Sequence, residues 1–73
     1  AEWELYPNPT NNDVYLRLED KMLPTYYKIA DITGRPMKSG ILADRFATID
    51  LGNCPPGVYF MQMGGKARKF IKL

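Results

Sequence analysis

Apolar and polar residues alternate along much of the chain, and the pattern is that of short strands rather than of helices. The clearest example is the segment 13–19, in which Val14, Leu16 and Leu18 are separated by tyrosine or polar residues. Successive side chains of a strand point to opposite faces of a sheet, so a period of two buries one face. We therefore predict a strand at 13–19 with these three residues in the core.

Similar short segments recur between glycine, proline and asparagine residues, which favour turns. We predict strands at 3–6, 13–19, 25–32, 37–42, 46–51, 58–63 and 66–73. Gly34 supplies the positive φ that a hairpin turn between the third and fourth strands requires. The only helical element that we allow for is a single turn within 40–46. About seven short strands at spacings of roughly 8–12 residues predict an all-β sandwich or barrel.

The last two strands are predicted to form a hairpin around Gly64 and Gly65, because such a pair readily adopts the positive φ values of a two-residue turn. This turn sets a register whose facing pairs are Met63 with Lys66, Tyr59 with Phe70, and Val58 with Ile71. Cross-strand aromatic pairs contribute about 0.2–1 kcal/mol each.

Both faces of this hairpin carry apolar side chains. We assign to the core the face with Val58, Phe60, Ala67, Ile71 and Leu73. The opposite face, with Tyr59, Phe70 and Lys72, then becomes a partly exposed patch whose accessible part is Met61, Met63, Lys66 and Arg68. Aromatic, thioether and cationic groups together are typical of partner surfaces. The alternative is that a neighbouring strand or loop covers Tyr59 and Phe70, and that the lysines only block edge-to-edge aggregation.

The residues needed for the common kinds of catalysis are missing from the sequence. It contains no histidine, so the usual general base and a frequent zinc ligand are absent. Ser39 has no evident base beside it, and the acidic residues form no recognisable pair of general acid and base. We therefore expect neither enzymatic activity nor a cofactor.

Two smaller features have a functional and a structural interpretation. The run 11–13, Asn-Asn-Asp, carries oxygen ligands of the kind that calcium prefers, but a plain turn is the favoured interpretation. Cys54 is the only cysteine, so it has no partner for an internal disulfide. We expect Cys54 to be a small, semi-buried loop residue.

Length and charge limit the remaining functions. The chain has 73 residues, enough for one domain, and no apolar run long enough to span a bilayer. Its formal net charge of +2 is too small to indicate nucleic-acid binding. We therefore expect a protein partner, without nucleic acid and without membrane insertion.

Five motifs, in order along nearly the whole chain, carry a resemblance to a known family. They are Leu5-Tyr6-Pro7-Asn8-Pro9, Asp31-Ile32-Thr33-Gly34-Arg35, Thr48-Ile49-Asp50-Leu51, Pro56-Gly57-Val58-Tyr59-Phe60 and Lys69-Phe70-Ile71-Lys72-Leu73. Together they resemble the type A C-terminal sorting domain of cargo for the bacterial type IX (Por) secretion system.

The resemblance implies an immunoglobulin-like β-sandwich of about seven short, mainly antiparallel strands. Residues 1–73 would be a single sorting domain, a fragment of a larger secreted cargo protein of a Gram-negative bacterium. The cargo would cross the periplasm and be recognised by the translocon and an outer-membrane shuttle protein. A sortase would then remove the domain at the outer-membrane surface.

The resemblance also assigns roles to residues. Partner binding would fall to the terminal strand, by addition to a partner's sheet, with Lys69, Phe70, Ile71, Lys72 and Leu73 in contact. The family residues that mainly shape the fold would be Pro7, Asn8, Pro9, Gly34, Gly57 and Tyr59. An exposed edge strand also pairs readily with itself, so self-association through the terminal hairpin is compatible with the sorting function.

Two other functions fit a small β protein. One is a non-catalytic accessory module of a secreted enzyme or adhesin, either a structural spacer or a carbohydrate-binding domain in which Trp3, Tyr6, Tyr26 and Tyr27 stack on sugars. The other is a single-strand nucleic-acid barrel, which combines basic charge with aromatic residues. The low net charge disfavours the nucleic-acid barrel.

Overall fold

Two antiparallel sheets share one core. The computed structural model describes residues 2–73, and its strands are β1 (Trp3–Tyr6), β2 (Asp13–Leu18), β3 (Thr25–Asp31), β4 (Pro36–Leu42), β5 (Phe46–Asp50), β6 (Gly57–Met63) and β7 (Lys66–Lys72). The three-stranded sheet has the order β1-β2-β5, and the four-stranded sheet has the order β4-β3-β6-β7. The all-β sandwich predicted from the sequence is confirmed.

The core forms where the alternating strands of both sheets turn their apolar sides toward each other. Val14, Leu16 and Leu18 of β2 are almost fully buried, as the alternation predicts. The core cluster comprises Trp3, Val14, Leu16, Leu18, Tyr27, Ile29, Ile49, Leu51, Cys54, Tyr59, Met61, Met63 and Phe70. Cys54 is 7% exposed, so it lies in a loop as predicted but is buried in the core rather than semi-buried.

The turns follow the predicted chemistry. Gly34, Gly64 and Gly65 have φ values of 89°, 60° and 78°, which a residue with a side chain rarely adopts. The pairing of β6 with β7 includes each of the three facing pairs expected from the Gly64-Gly65 turn. The glycine positions alone therefore fixed the register of this hairpin.

Within residues 2–73, the helical turn lies outside the segment in which we allowed for one. Residues 40–46 belong to the end of β4, a short connection and the start of β5, and form no helical turn. A three-residue 3-10 helix, Asp20–Met22, follows β2 instead, and no helix within residues 2–73 is long and apolar enough to cross a membrane.

The face of β6 and β7 that we assigned to the core is the wrong one. Tyr59, Met61, Met63 and Phe70 are each at most 3% exposed, whereas Ile71 and Leu73 are 41% and 61% exposed. The predicted accessibility of Met61 and Met63 is therefore wrong, and the alternative in which Tyr59 and Phe70 are covered is confirmed.

The neighbouring strands explain why the face predicted to be exposed is the buried one. Gln62 faces Lys28 on β3, and Phe60 faces Lys69 on β7, so the opposite choice would bury two lysines and an amide. The cations on the inward side lie at the margins of the sheet. Lys66 is exposed there, and the half-buried Arg68 places its guanidinium carbon 4.8 Å from the centre of the Trp3 ring.

Candidate functional site

Strand β7 divides the predicted contact residues into two groups that point in opposite directions. Phe70 is 0% exposed, and its ring stacks on Tyr59 with the ring centres 5.8 Å apart. Lys72 is 9% exposed, and its Nζ donates a hydrogen bond of 2.7 Å to the carbonyl oxygen of Cys54. Lys69, Ile71 and Leu73 are exposed. The fold therefore uses Phe70 and Lys72 internally and leaves the other three residues free to meet a partner.

The outer edge of β7 is already occupied by another part of the chain. Residues 8–10, here called the arm, run along it, with a parallel bridge between Thr10 and Lys72. Asn8 Oδ1 accepts a hydrogen bond of 3.0 Å from the Ile71 N–H, and Asn8 Nδ2 donates one of 3.3 Å to the Lys69 carbonyl. The Thr10 N–H donates to the Ile71 carbonyl at 2.9 Å, and the Leu73 N–H donates to the Thr10 carbonyl at 2.8 Å.

The arm changes how the terminal strand can bind. Addition of a partner strand needs unpaired backbone groups along an edge. Between the Lys69 carbonyl and the Leu73 N–H, the arm already pairs those groups. A partner strand could add there only by displacing the arm, so the side chains are the more accessible part of the terminal strand.

The sequence around the arm holds it in place. Pro7 and Pro9 flank Asn8, and both of their preceding peptide bonds are cis. Thr10 is 2% exposed, and its hydroxyl donates to the Asp13 carbonyl and accepts from the Asn12 N–H at 3.3 Å. The mainly structural role of Pro7, Asn8 and Pro9 stays a prediction, which replacement of Asn8 tests.

Replacing Asn8 by alanine tests the arm. The loss of two side-chain hydrogen bonds is expected to lower the free energy of unfolding by about 1–2 kcal/mol. It is also expected to accelerate amide hydrogen exchange at Ile71, whose N–H loses its acceptor. Asn8→Asp keeps the acceptor oxygen and should protect Ile71 more than Asn8→Ala does, while the exposed neighbour Asn11→Ala serves as the control. Unchanged exchange at Ile71 in Asn8→Ala would show that the arm does not hold this edge.

Tyr59 and its neighbours fix the start of β6. The Tyr59 hydroxyl donates a hydrogen bond to the Pro55 carbonyl, and burial raises the pKa of this phenol. Gly57 begins β6 and pairs with Lys72. The mainly structural role of Gly57 and Tyr59 stays a prediction.

The exposed residues of β7 belong to a larger surface on the outside of the four-stranded sheet. The register places the following residues on this outer face: Ser39, Ile41, Tyr26, Lys28, Val58, Phe60, Gln62, Ala67, Lys69 and Ile71. Phe60 and Val58 are half-buried and lie opposite Lys69 and Ile71. The centre of the outer face is therefore apolar and continuous across β6 and β7.

The charge on the outer face has one sign. Lys28 and Lys69 are its charged residues, and the register places no carboxylate of residues 2–73 on it. Next to Lys28 lies a depression of about 500 Å³ lined by Tyr26, Lys28, Gln62, Met63, Gly64, Gly65, Lys66 and Ala67. The small side chain of Ala67 leaves this space open.

The carboxylates with shifted pKa values serve other parts of the fold. A hydrogen bond from Arg17, 2.8 Å away, holds the pKa of Glu4 below its usual value. The Thr33 side chain and then backbone N–H groups lower the pKa of Asp31 in the turn after β3. The Gly52 N–H, followed by Asn12, lowers the pKa of Asp50. These contacts order turns and strand pairs.

The run 11–13 and the aromatic residues take structural positions. The Asn12 amide donates to Asp13 and Asp50, which agrees with the turn interpretation. Trp3 and Tyr27 are buried, and Tyr6 and Tyr26 lie on different sheets, so the predicted stacking platform for sugars is wrong.

Sequence reasoning missed the contact between Asn8 and β7. The Pro-Asn-Pro run indicates a rigid corner but gives no partner, because Ile71 is 63 positions away. The Asn8 side-chain amide takes the place of a neighbouring strand's backbone in pairing with β7. Such a contact leaves no periodic pattern of apolar and polar residues in the sequence.

The comparison with known families agrees with this architecture. A model of the family described as "Secretion system C-terminal sorting domain" matches residues 4–73. No curated protein and no solved structure is similar enough to the chain to count as a match. The match includes every strand except the first residue of β1. The chain therefore belongs to the family of C-terminal sorting domains of the type IX secretion system.

Proposed function

We propose that the type IX translocon and its outer-membrane shuttle protein recognise this domain through the outward side chains of β7 and the residue after it: Lys69, Ile71 and Leu73. Membership of the family makes the chain a C-terminal sorting signal, whose parent protein is secreted to the cell surface by the type IX machinery. The family match over residues 4–73 is the observation that carries this proposal.

The geometry of β7 supports the choice of residues. Phe70 and Lys72 are buried, and the backbone of the strand is paired on one side with β6 and on the other with the arm. A partner that approaches the folded domain therefore meets Lys69, Ile71 and Leu73 first. Phe70 and Lys72 contribute by holding that strand in position.

The remaining steps complete the proposal. The parent protein passes through the periplasm, and a cell-surface sortase removes the domain after it has crossed the outer membrane. The domain itself has no catalytic activity and needs no cofactor. Its function is to present a folded surface to the machinery.

A secretion assay tests the residues of β7. The chain is fused behind a signal peptide and a fluorescent passenger in a cell with a type IX system. The double variant Ile71→Ser and Leu73→Ser is expected to lower surface delivery about tenfold, equivalent to roughly 1.4 kcal/mol of lost contact. The control Tyr15→Ser with Phe46→Ser changes residues of nearly the same exposure, 41% and 63%, on the three-stranded sheet.

Urea unfolding of each purified variant shows whether the domain still folds. Equal delivery of the β7 variant and its control, with both folded, would disprove recognition through β7. Retention of the folded wild-type fusion inside the cell would disprove the sorting function of the chain itself.

A further inference from the structure

We infer that the outer face of the four-stranded sheet, beyond β7, docks on an apolar protein surface with acidic residues around it. This rests on the proposed function, because the partner that we assign to the outer face is a component of the type IX machinery. The inference adds residues of β3 and β6 to the recognition site, together with the charge that the partner must carry.

An apolar centre is the first observation. Val58 and Phe60 lie on β6 and continue into Ile71 on β7, which faces Val58 directly. Ile71 is 41% exposed, and on the far side of the sheet Tyr26 and its facing residue Ile41 are 58% and 73% exposed. Contiguous apolar area with polar neighbours is typical of protein interaction sites. Val58, Phe60 and Ile71 form this centre across β6 and β7, and the row of Lys28 and Gln62 separates it from Tyr26 and Ile41.

The charges beside this centre indicate the partner. Lys69 faces Phe60 on one side, and Lys28 faces Gln62 on the other. Within residues 2–73, neither lysine belongs to an ion pair: the pairs are Glu4 with Arg17, Glu19 with Lys21, Asp20 with Arg45 and Asp31 with Arg35. Lysines without an ion-pair partner attract a protein surface that carries acidic groups. They also disfavour binding of a surface that carries basic groups.

The depression beside Lys28 gives this surface a specific shape. It measures about 500 Å³ and is open on the outer face beside the β6–β7 turn. Tyr26 and Ala67 line it with apolar atoms, while Lys28 and Lys66 contribute cations. A projecting acidic side chain of the partner, with its aliphatic stem against Tyr26, fits this combination.

The same charges argue against a second copy of the domain as the occupant. Two outer faces packed against each other would bring their Lys28 and Lys69 side chains together without any carboxylate between them. Like charges at a buried contact cost several kcal/mol. The partner is therefore a different protein with acidic residues.

Delivery of the passenger fusion tests the inference with two variants that leave Lys69, Ile71 and Leu73 unchanged. Lys28→Glu reverses the charge beside the depression, and Ala67→Gln fills the depression without adding charge. Each is expected to lower surface delivery about tenfold. Lys21→Glu is the charge-matched control, since it makes the same charge change at an exposed residue of the 3-10 helix, which is not part of the four-stranded sheet.

Photo-crosslinking locates the contact. A crosslinking residue at position 62, on the outer face, is expected to form products with the tagged translocon or shuttle protein. The same residue at position 48, on the exposed side of the three-stranded sheet, is not. Products between copies of the domain alone would assign the outer face to self-association and overturn the inference.

The outcomes separate this inference from the proposed function. If both outer-face variants are delivered like Lys21→Glu while the Ile71→Ser and Leu73→Ser variant is retained, recognition is confined to Lys69, Ile71 and Leu73, and the inference is wrong. If the wild-type fusion itself is retained although folded, the sorting function fails and the inference fails with it.

Discussion

Replacing Phe70 by alanine is expected to unfold most of the domain at 25 °C. Phe70 is 0% exposed and stacks on Tyr59 in the shared core. Truncation of a buried phenylalanine to alanine costs about 3–5 kcal/mol, which equals the whole stability of roughly 3–5 kcal/mol expected for a core of this size. Urea unfolding followed by the fluorescence of Trp3, the only tryptophan and almost fully buried, measures the loss.

The variant Phe70→Leu is the control for this change. It keeps most of the apolar volume and is expected to cost roughly 1.5 kcal/mol, so the domain should still unfold cooperatively. A Phe70→Ala protein that remained folded, with a midpoint close to that of Phe70→Leu, would contradict the assignment of Phe70 to the core. If Phe70 is a core residue, surface delivery of the Phe70→Ala and Phe70→Leu fusions should decrease in step with the stability of each variant, because the buried ring does not reach a partner.

Deleting residues 69–73 is expected to abolish the fold altogether. The deletion removes Phe70 from the core, the Lys72 hydrogen bond to Cys54, and all four hydrogen bonds that the arm makes to β7. The combined cost exceeds the few kcal/mol available to a domain of 73 residues. Circular dichroism and amide hydrogen exchange of the purified truncation should show an unfolded chain.

A shorter truncation that should remain folded is the control for the deletion of residues 69–73. A chain that ends at residue 72 removes only the exposed Leu73, with its single backbone hydrogen bond to Thr10, and should stay folded. A truncation at residue 68 that retained the full exchange protection of β3 and β6 would contradict the expected collapse. Loss of secretion in an unfolded truncation reports stability, whereas the Ile71 and Leu73 substitutions report recognition.

The strands and the register of the terminal hairpin could be predicted from the sequence because local chemistry determines them. Alternation marks β2, and the positive φ of Gly64 and Gly65 sets the pairing of β6 with β7. The inward face of that hairpin could not be predicted, because both of its faces carry apolar residues. Only the neighbouring strand decides between them, by placing Lys28 opposite Gln62.

The contact of the terminal residues with a partner stays a prediction. The inward direction of Phe70 and Lys72 follows from the hairpin face and was missed with it. The arm depends on a contact between distant parts of the chain, and Asn8 carries no sign of its partner in the sequence. Strands can be predicted well from a single sequence, whereas side-chain contacts between residues far apart in the chain cannot.

The contact between the arm and β7 has a consequence for incomplete proteins. The arm, residues 8–10, is synthesised early in the domain, whereas β7 is the last of the described strands to be synthesised. A parent protein whose synthesis stops before β7 lacks Phe70 for the core and the edge on which the arm is held. Such a product cannot form the folded surface, so export would be limited to proteins whose translation has passed through the whole domain. A signal that folds only when β7 is present therefore couples secretion to the synthesis of the whole domain.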